Sequence, residues 1–343
     1  MKLQERIRVF IQEIWRWYGR NKRQLPWRDL DIEDTTERAY RVMVSEIMLQ
    51  QTQVSRVIIM YRRFLEQFPH LEDLAQASNR EVILAWRGLG YNSRALRLKD
   101  AAKHICNTSL NAQKTKQKVH FPQEMNELMC ISGIGHYTAA AIRNFAFHIP
   151  TPCLDTNIRR ILHRTFVGPE NPDGTWKKDD RYLLQLAEEI VRVACHSHTT
   201  SEWHAALMDF GSLVQTKRNP RWEECPLTAA GIMKATSKNF PKVHLPTACH
   251  PASPTAVAFG RGSSSEPGRL VGSRHVPNRI FRGRIVETLR DCEKGLTLEK
   301  IGKEICIDWC STAEQKTWLH DRLTSLKKDR LLMQRRGKFF LYT

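Results

Sequence analysis

Up to residue 215 the sequence has almost no strand-like alternation of apolar and polar residues. Apolar side chains recur instead at spacings of three and four, the period of a helix with one buried face. Leu3, Ile7, Phe10, Ile11, Ile14 and Tyr18 predict an amphipathic helix that "NKRQLPWRD" breaks at Pro26. "AYRVMVSEIMLQQ", "VSRVIIMYRRFLEQF", "LEDLAQAS", "NREVILAWRGL" and "SRALRLKDAAKHI" read as successive short helices parted by Pro, Gly or Asn. Further helices are predicted over 124–130 and 137–147, then in "DTNIRRILHRTF", "RYLLQLAEEIVRVA" and "SEWHAALMDFGSLV". A chain patterned this way must bury helix against helix, so the expected fold class is all-α over residues 1–234.

The rest reads differently. Residues 235–277 are rich in Pro, Gly and Ser with little periodicity, the composition of a flexible linker. Over 278–343, three helical stretches precede "RLLMQRRGKFFLY", which reads as two strands around a turn at Arg336-Gly337. Helix, helix, helix, hairpin describes a small winged-helix-like α+β module. Its third helix could enter a DNA groove, or the module could be a stabilising or protein-contact unit.

Composition narrows the partner. Lys and Arg number 54 against 36 Asp and Glu, a net charge of +18 that fits a polyanion such as nucleic acid, and equally a basic solvated surface. No apolar run approaches the ~20 residues of a membrane span, and charges run through "MKLQERIRVFIQEIW", unlike a secretory signal. Nine scattered cysteines do not make a disulfide framework, so an intracellular, reducing location is expected: nucleoid or nucleus according to the host.

Three stretches carry chemistry. In "ISGIGHYTAAAIRNF", Gly133-Ile134-Gly135 feeds a helix start, whose unpaired N–H groups and positive end suit a phosphate that the missing Cβ atoms let in. The bland alternative is an ordinary turn, but "AWRGLGYNSRAL" repeats the device at Gly88-Leu89-Gly90. In "PCLDTNIRRILHR", Asp155 is a natural helix N-cap and, compatibly, a carboxylate able to stabilise a cation. In "SEIMLQQTQV", Glu46 beside an apolar helix could have a raised pKa and act as an acid, or be an ordinary surface Glu. Gln50, Gln51 and Gln53 could fill a base stack or be solvated helix surface.

Taken in order, "LPWR", "SEIMLQQTQV", "GLGY", "ISGIGHYTAAAI", "LDTNIRR" and "ALMDFGSLV" resemble the helix–hairpin–helix DNA glycosylase superfamily over roughly residues 3–230. Within it they resemble the A/G-specific adenine glycosylases of the MutY type. The resemblance implies a two-lobed helical core, acting as a monomer on double-stranded DNA with adenine opposite 8-oxoguanine or guanine. The adenine is flipped out and its glycosidic bond hydrolysed. Glu46 would then be the general acid and Asp155 the carboxylate that stabilises the sugar cation, with Asn157 and Tyr137 in support. Bifunctional relatives carry a nucleophilic lysine where Tyr137 stands; a phenol forms no Schiff base, which implies base release without strand cleavage. Arg23, Leu25, Trp27, Arg28 and Leu49 match the adenine pocket. Gln51 and Tyr91 match residues that enter the stack around the opposite purine. Gly133 and Gly135 match the phosphate-gripping hairpin.

The chain departs from the family at three places. Where most members carry four cysteine ligands of an iron–sulfur cluster, this one has Gln215, Trp222, Cys225 and Gly231, so no cluster or other metal cofactor is expected. Lys217, Arg218 and Arg221 remain there as candidate phosphate contacts, and Trp222 as a filler of the vacated volume. Ala205 stands where many members place a Gln or Glu that reads the adenine, which keeps thymine- or uracil-mismatch excision as an alternative reading. A second alternative is a non-catalytic mismatch binder, which would have no need of both Glu46 and Asp155. Nothing after residue 235 reads like the family's C-terminal domain for 8-oxoguanine.

Overall fold

The computed structural model describes residues 1–112, 119–195, 199–239 and 266–342. The chain divides into two compact units. One comprises Met1–Glu46 and His120–Cys249, the other Ile47–Val119 and His250–Thr343, as far as their residues are described.

The first unit is helical. Helix α1 (Leu3–Asn21) buries Ile7, Phe10, Ile14 and Tyr18, as its spacing predicts. These side chains pack on Ile158 and Ile161 of α9 (Thr156–Leu162), on Leu183 and Ile190 of α10 (Asp180–Ala194), and on Trp203 and Phe210 of α11 (Thr200–Leu213). A single π-turn, His163–Val167, extends α9. Helix α2 (Thr35–Leu49) contributes Ala39, Tyr40, Val42 and Met43, and the division between units falls inside it, after Glu46. Helices α7 (Met125–Cys130) and α8 (His136–Phe145) form the expected helix–hairpin–helix, anchored by buried Ile131 and Ile134 on either side of the turn. A short α12 (Pro226–Ala229) completes this unit, with Leu227 buried.

A buried polar cluster braces its interior. Asn144 donates to Thr151 O (2.8 Å) and accepts from Thr151 N (2.9 Å) and Thr200 Oγ1 (2.8 Å). His204 Nδ1 donates to Thr200 O at 2.8 Å, and burial pushes the imidazole pKa down to about 4, so it stays neutral.

The second unit begins with α3 (Val54–Gln67), α4 (Leu71–Gln76), α5 (Asn79–Ala85) and α6 (Ser93–Ala112). Its C-terminal part has α13 (Asn278–Arg290), α14 (Leu298–Ile305) and α15 (Ala313–Lys328) with strands β3 (Leu296–Thr297), β4 (Leu332–Arg335) and β5 (Lys338–Leu341). The sheet is antiparallel in the order β3-β5-β4, a winged-helix-like arrangement with one strand more than the sequence signalled.

One expectation changes here. Residues 268–277, read as the end of a flexible linker, form a hairpin of β1 (Gly268–Val271) and β2 (Arg274–Pro277), closed by Gly272-Ser273. The same Gly and Ser that look like linker composition are what a two-residue hairpin loop requires, and Gly272 has φ 59°. The remainder of 240–265 lies outside the described residues. Nor is the C-terminal module packed only on itself. Ile83 and Leu96, from α5 and α6, share its apolar core. Buried Arg290 donates to Ile83 O (3.0 Å) and Asn92 Oδ1 (2.9 Å), while Arg87 pairs with Glu287 and Asp291, and Arg330 with Asp100. Among the described residues no helix is long and apolar enough to cross a membrane.

Candidate active site

Glu46 lies on the last turns of α2, 6% exposed and surrounded by buried apolar residues of that helix. A carboxylate in such a setting loses its hydration, and burial raises its pKa from 4.5 to about 7; the Asp155 charge pushes the same way, while Tyr137 and Arg28 oppose it. Among the described residues its carboxyl has one hydrogen-bond partner, Tyr137, on the first turn of α8, whose hydroxyl donates to Oε2 at 2.9 Å. Burial, reinforced by Glu46, Cys153 and Asp155, holds the phenol well above its usual pKa of 10. Tyr137 therefore remains a neutral donor and offers no nucleophile.

Asp155 is the N-cap of α9, as its position ahead of a helical run predicts. Its carboxylate accepts from Ile158 N (2.6 Å), Asn157 N (2.9 Å) and Asn157 Nδ2 (2.9 Å). Burial raises its pKa, and these three donors and Arg160 oppose the rise. Asn157 is itself fixed from behind: Arg160 Nη2 donates to its Oδ1 at 2.6 Å and to Gly211 O at 2.9 Å. A Cβ on Gly211 would lie 2.6 Å from that of Asn157, so only glycine lets α9 and α11 approach closely enough for this arrangement.

The loop of Arg23, Leu25, Trp27 and Arg28 is tied down by a residue that sequence reasoning missed. Asp209, wholly buried on α11, accepts from Arg23 N (3.1 Å), Arg23 Nε (2.7 Å) and Arg28 Nη1 (2.8 Å). A fully buried carboxylate needs such partners. The acid in "ALMDFGSLV" was the available signal, but its partners lie 181 and 186 positions away. Trp27 is buried, and Leu25 is half-buried. Ala205 sits in the apolar core of the first unit.

At the helix–hairpin–helix turn Gly133 has φ 93°, which a side chain would strain, whereas Gly135 has an ordinary φ of −90° and open space where a Cβ would stand. Nothing within the chain demands glycine at 135. Both are exposed, at the N-terminus of α8, where the first N–H groups lack helical partners.

The structure thus gathers Glu46, Tyr137, Asp155, Asn157 and the Arg23–Arg28 loop in the first unit. Lys217, Arg218 and Arg221 are exposed on that unit's loop after α11, and Arg221 pairs with Glu224 at 3.1 Å. In this loop Gln215 is buried, accepting from Arg164 Nη1 (3.2 Å) and donating to Cys225 Sγ (3.4 Å). Arg164, also buried, pairs with Glu170 at 2.7 Å and stands 5.8 Å from the Trp222 ring centre. An amide, an indole and a buried guanidinium around one thiol do not fit an iron–sulfur cluster, which takes four thiolates.

Leu49, Gln51 and Tyr91 belong to the second unit. Gln51 (φ 54°) and Tyr91 (φ 45°) both adopt left-handed backbone conformations, uncommon for residues with side chains. Arg94, unmarked by the sequence reading, joins their two loops. Its Nη1 donates to Ile47 O (2.8 Å) and Met48 O (3.1 Å), and its Nη2 to Thr52 Oγ1 (3.0 Å) and Leu89 O (3.3 Å). It lies 5.6 Å from the Tyr91 ring centre, and burial lowers its pKa to about 10.

Residues 44–192 match the family described as HhH-GPD superfamily base excision DNA repair protein. A Mycolicibacterium smegmatis protein named adenine DNA glycosylase is 31% identical over 331 residues, covering 96% of this chain and 94% of that one. The mouse protein of the same name is 36% identical over 224 residues, covering 64% of this chain and 41% of its own length, so the chain spans about two fifths of that relative. A thermostable thymine-DNA glycosylase shares the fold, with a TM-score of 0.56 at 23% identity over 67% of this chain and 96% of that one.

Proposed function

The chain belongs to the adenine DNA glycosylases of the helix–hairpin–helix superfamily, and from that premise we propose that it excises adenine mispaired with 8-oxoguanine or guanine in double-stranded DNA. The observation that carries the reading is Glu46, a buried carboxyl with a pKa near 7, hydrogen-bonded to Tyr137 in the unit that also holds Asp155. Such a group is about half protonated at neutral pH, the condition under which a general acid works well.

The adenine leaves the stack and enters the site. Glu46 delivers its proton to a ring nitrogen, the glycosidic bond breaks toward the base, and the sugar becomes an oxocarbenium-like cation. Asp155 lies ready as the facing anion, and water adds at the sugar carbon and returns a proton. Tyr137 and Asn157 orient the two carboxyl groups. With a neutral phenol where a lysine nucleophile would be needed, the strand stays intact. Gly133 and Gly135 accept a phosphate against the start of α8, and Lys217 and Arg218 neutralise others. We propose further that no iron–sulfur cluster is held at residues 215–231; the Arg164–Gln215–Cys225 contacts support this by giving the loop another means of closure.

The test is a single-turnover assay on labelled duplexes with adenine opposite 8-oxoguanine, adenine opposite guanine, and thymine opposite guanine, each with and without alkali. Cleavage of the adenine strand only after alkali is the expected result. Product from the thymine duplex alone would refute the choice of base, and cleavage without alkali would refute the role given to Tyr137.

A further inference from the structure

The C-terminal module carries seventeen Lys and Arg against ten Asp and Glu over residues 266–342. Six of its ten acids are already engaged: Glu266 with Arg279, Asp308 with Arg269, Asp329 with Arg282, Glu287 and Asp291 with Arg87, and Glu293 with Arg80. Five of the remaining cations stand together. Lys327 and Lys328 end α15, and Arg335, Arg336 and Lys338 surround the β4–β5 turn; all five are exposed, and none has an acidic partner among the described residues.

Two features of this turn run against folding economy. Arg335 and Lys338 face each other directly across the strands, and like charges at facing positions destabilise a hairpin. Arg336 occupies the first central position at φ 47°, followed by Gly337 at φ 74°, a conformation for which Asn-Gly is the favoured pair. An anion bridging the turn would offset both costs. Buried Arg290 also ties the module to Ile83 O and Asn92 Oδ1, on the chain flanking Tyr91. The turn and Tyr91 are thus parts of one compact unit.

We propose that the β4–β5 turn, with the end of α15, is a second phosphate-binding surface for duplex DNA, distinct from the hairpin at Gly133 and Gly135. It rests on the excision reading only for the choice of duplex DNA over other polyanions. Three turn cations on three phosphates would contribute about 2.7 to the slope of log affinity against log salt, at ~0.9 per phosphate.

The experiment compares the full chain with the triple variant Arg335→Gln, Arg336→Asn, Lys338→Gln. Binding to an undamaged, fully paired duplex is followed across salt concentrations. A control, Lys294→Gln, Lys300→Gln, Lys303→Gln, removes equal charge from elsewhere on the module. The turn variant is expected to lose about 2.7 from the slope and to melt no lower than the parent, since Asn-Gly suits the turn. The control keeps the parental slope and the parental rate of adenine release. An unaltered slope overturns the proposal. So does an equal loss in the control, or a larger loss on duplex RNA than on duplex DNA. Should the triple variant melt lower, Arg336→Asn alone decides: a slope loss near 0.9 supports the surface and none refutes it. A parent that binds through the turn but releases no adenine would refute the excision reading and leave this one standing.

Discussion

Replacing Glu46 with Gln tests the central electrostatic argument without any DNA. Burial holds this carboxyl at about 7 instead of 4.5, so the folded protein keeps a proton that the unfolded chain releases. Stability is therefore lost as pH rises from the unfolded to the folded value, and is flat above it. A shift of about 2.5 units corresponds to ~3.4 kcal/mol, of which ~2.5 kcal/mol is lost between about pH 5 and pH 8. The amide of the variant carries no charge and can still accept the Tyr137 hydroxyl, so it escapes the penalty. Thermal melts should then show the two proteins within ~1 kcal/mol of each other near pH 5. Near pH 8 the variant should melt higher by roughly 5–10 °C for a unit of this size. Other titrating groups are common to both proteins and cancel in the difference. A gap that does not grow with pH, or a variant less stable than the parent near pH 8, would sink the claim that Glu46 is strained by desolvation. The same substitution should abolish adenine release while duplex binding persists.

Asp209→Asn removes the charge that pairs Arg23 with Arg28 and leaves the largely buried Arg28 uncompensated, at a cost on the order of 3 kcal/mol; adenine release should slow at least tenfold while binding to undamaged duplex is kept, and unchanged rates would show that the loop does not need this anchor. Arg94→Met unties the loops of Gln51 and Tyr91, so mismatched duplex should lose affinity and undamaged duplex much less; competition binding decides, and equal losses on both would refute a role in reading the mispair.

What the sequence made legible were local devices. Asp155 as a cap, the Gly133 turn and the buried face of α1 each follow from spacing within a few residues. Glu46 could be named and a raised pKa offered for it, but not chosen over an ordinary surface Glu, because desolvation depends on what the folded chain packs around it. Asp209 and Arg94 were invisible for a related reason. Their partners are backbone groups and guanidinium ions brought near only by folding, and no local pattern announces them. The hairpin over 268–277 was misread because Gly and Ser signal a tight turn as readily as a linker, and the strands beside it are only four residues each. Ile83 and Leu96 read as ordinary helix-face residues, with nothing to tell that a module nearly 200 positions later would cover them.

The two carboxyl groups raise one last question: which of them keeps the proton. Both are desolvated, and the Asp155 charge makes ionising Glu46 harder. Asp155 has three donors and a nearby Arg160, whereas Glu46 has one phenol. The proton therefore resides on Glu46 up to about neutral pH, and on the proposed mechanism a positive charge developing on the sugar would favour its release. Removing one charge should release the other group. In the Asp155→Asn background the pKa of Glu46 should fall, so that adding Glu46→Gln there gains less stability near pH 8 than it does in the parent. A double-mutant cycle of thermal melts at several pH values measures this coupling directly. Equal gains in both backgrounds would mean that burial alone sets the pKa of Glu46, and that Asp155 has no hand in keeping the acid protonated.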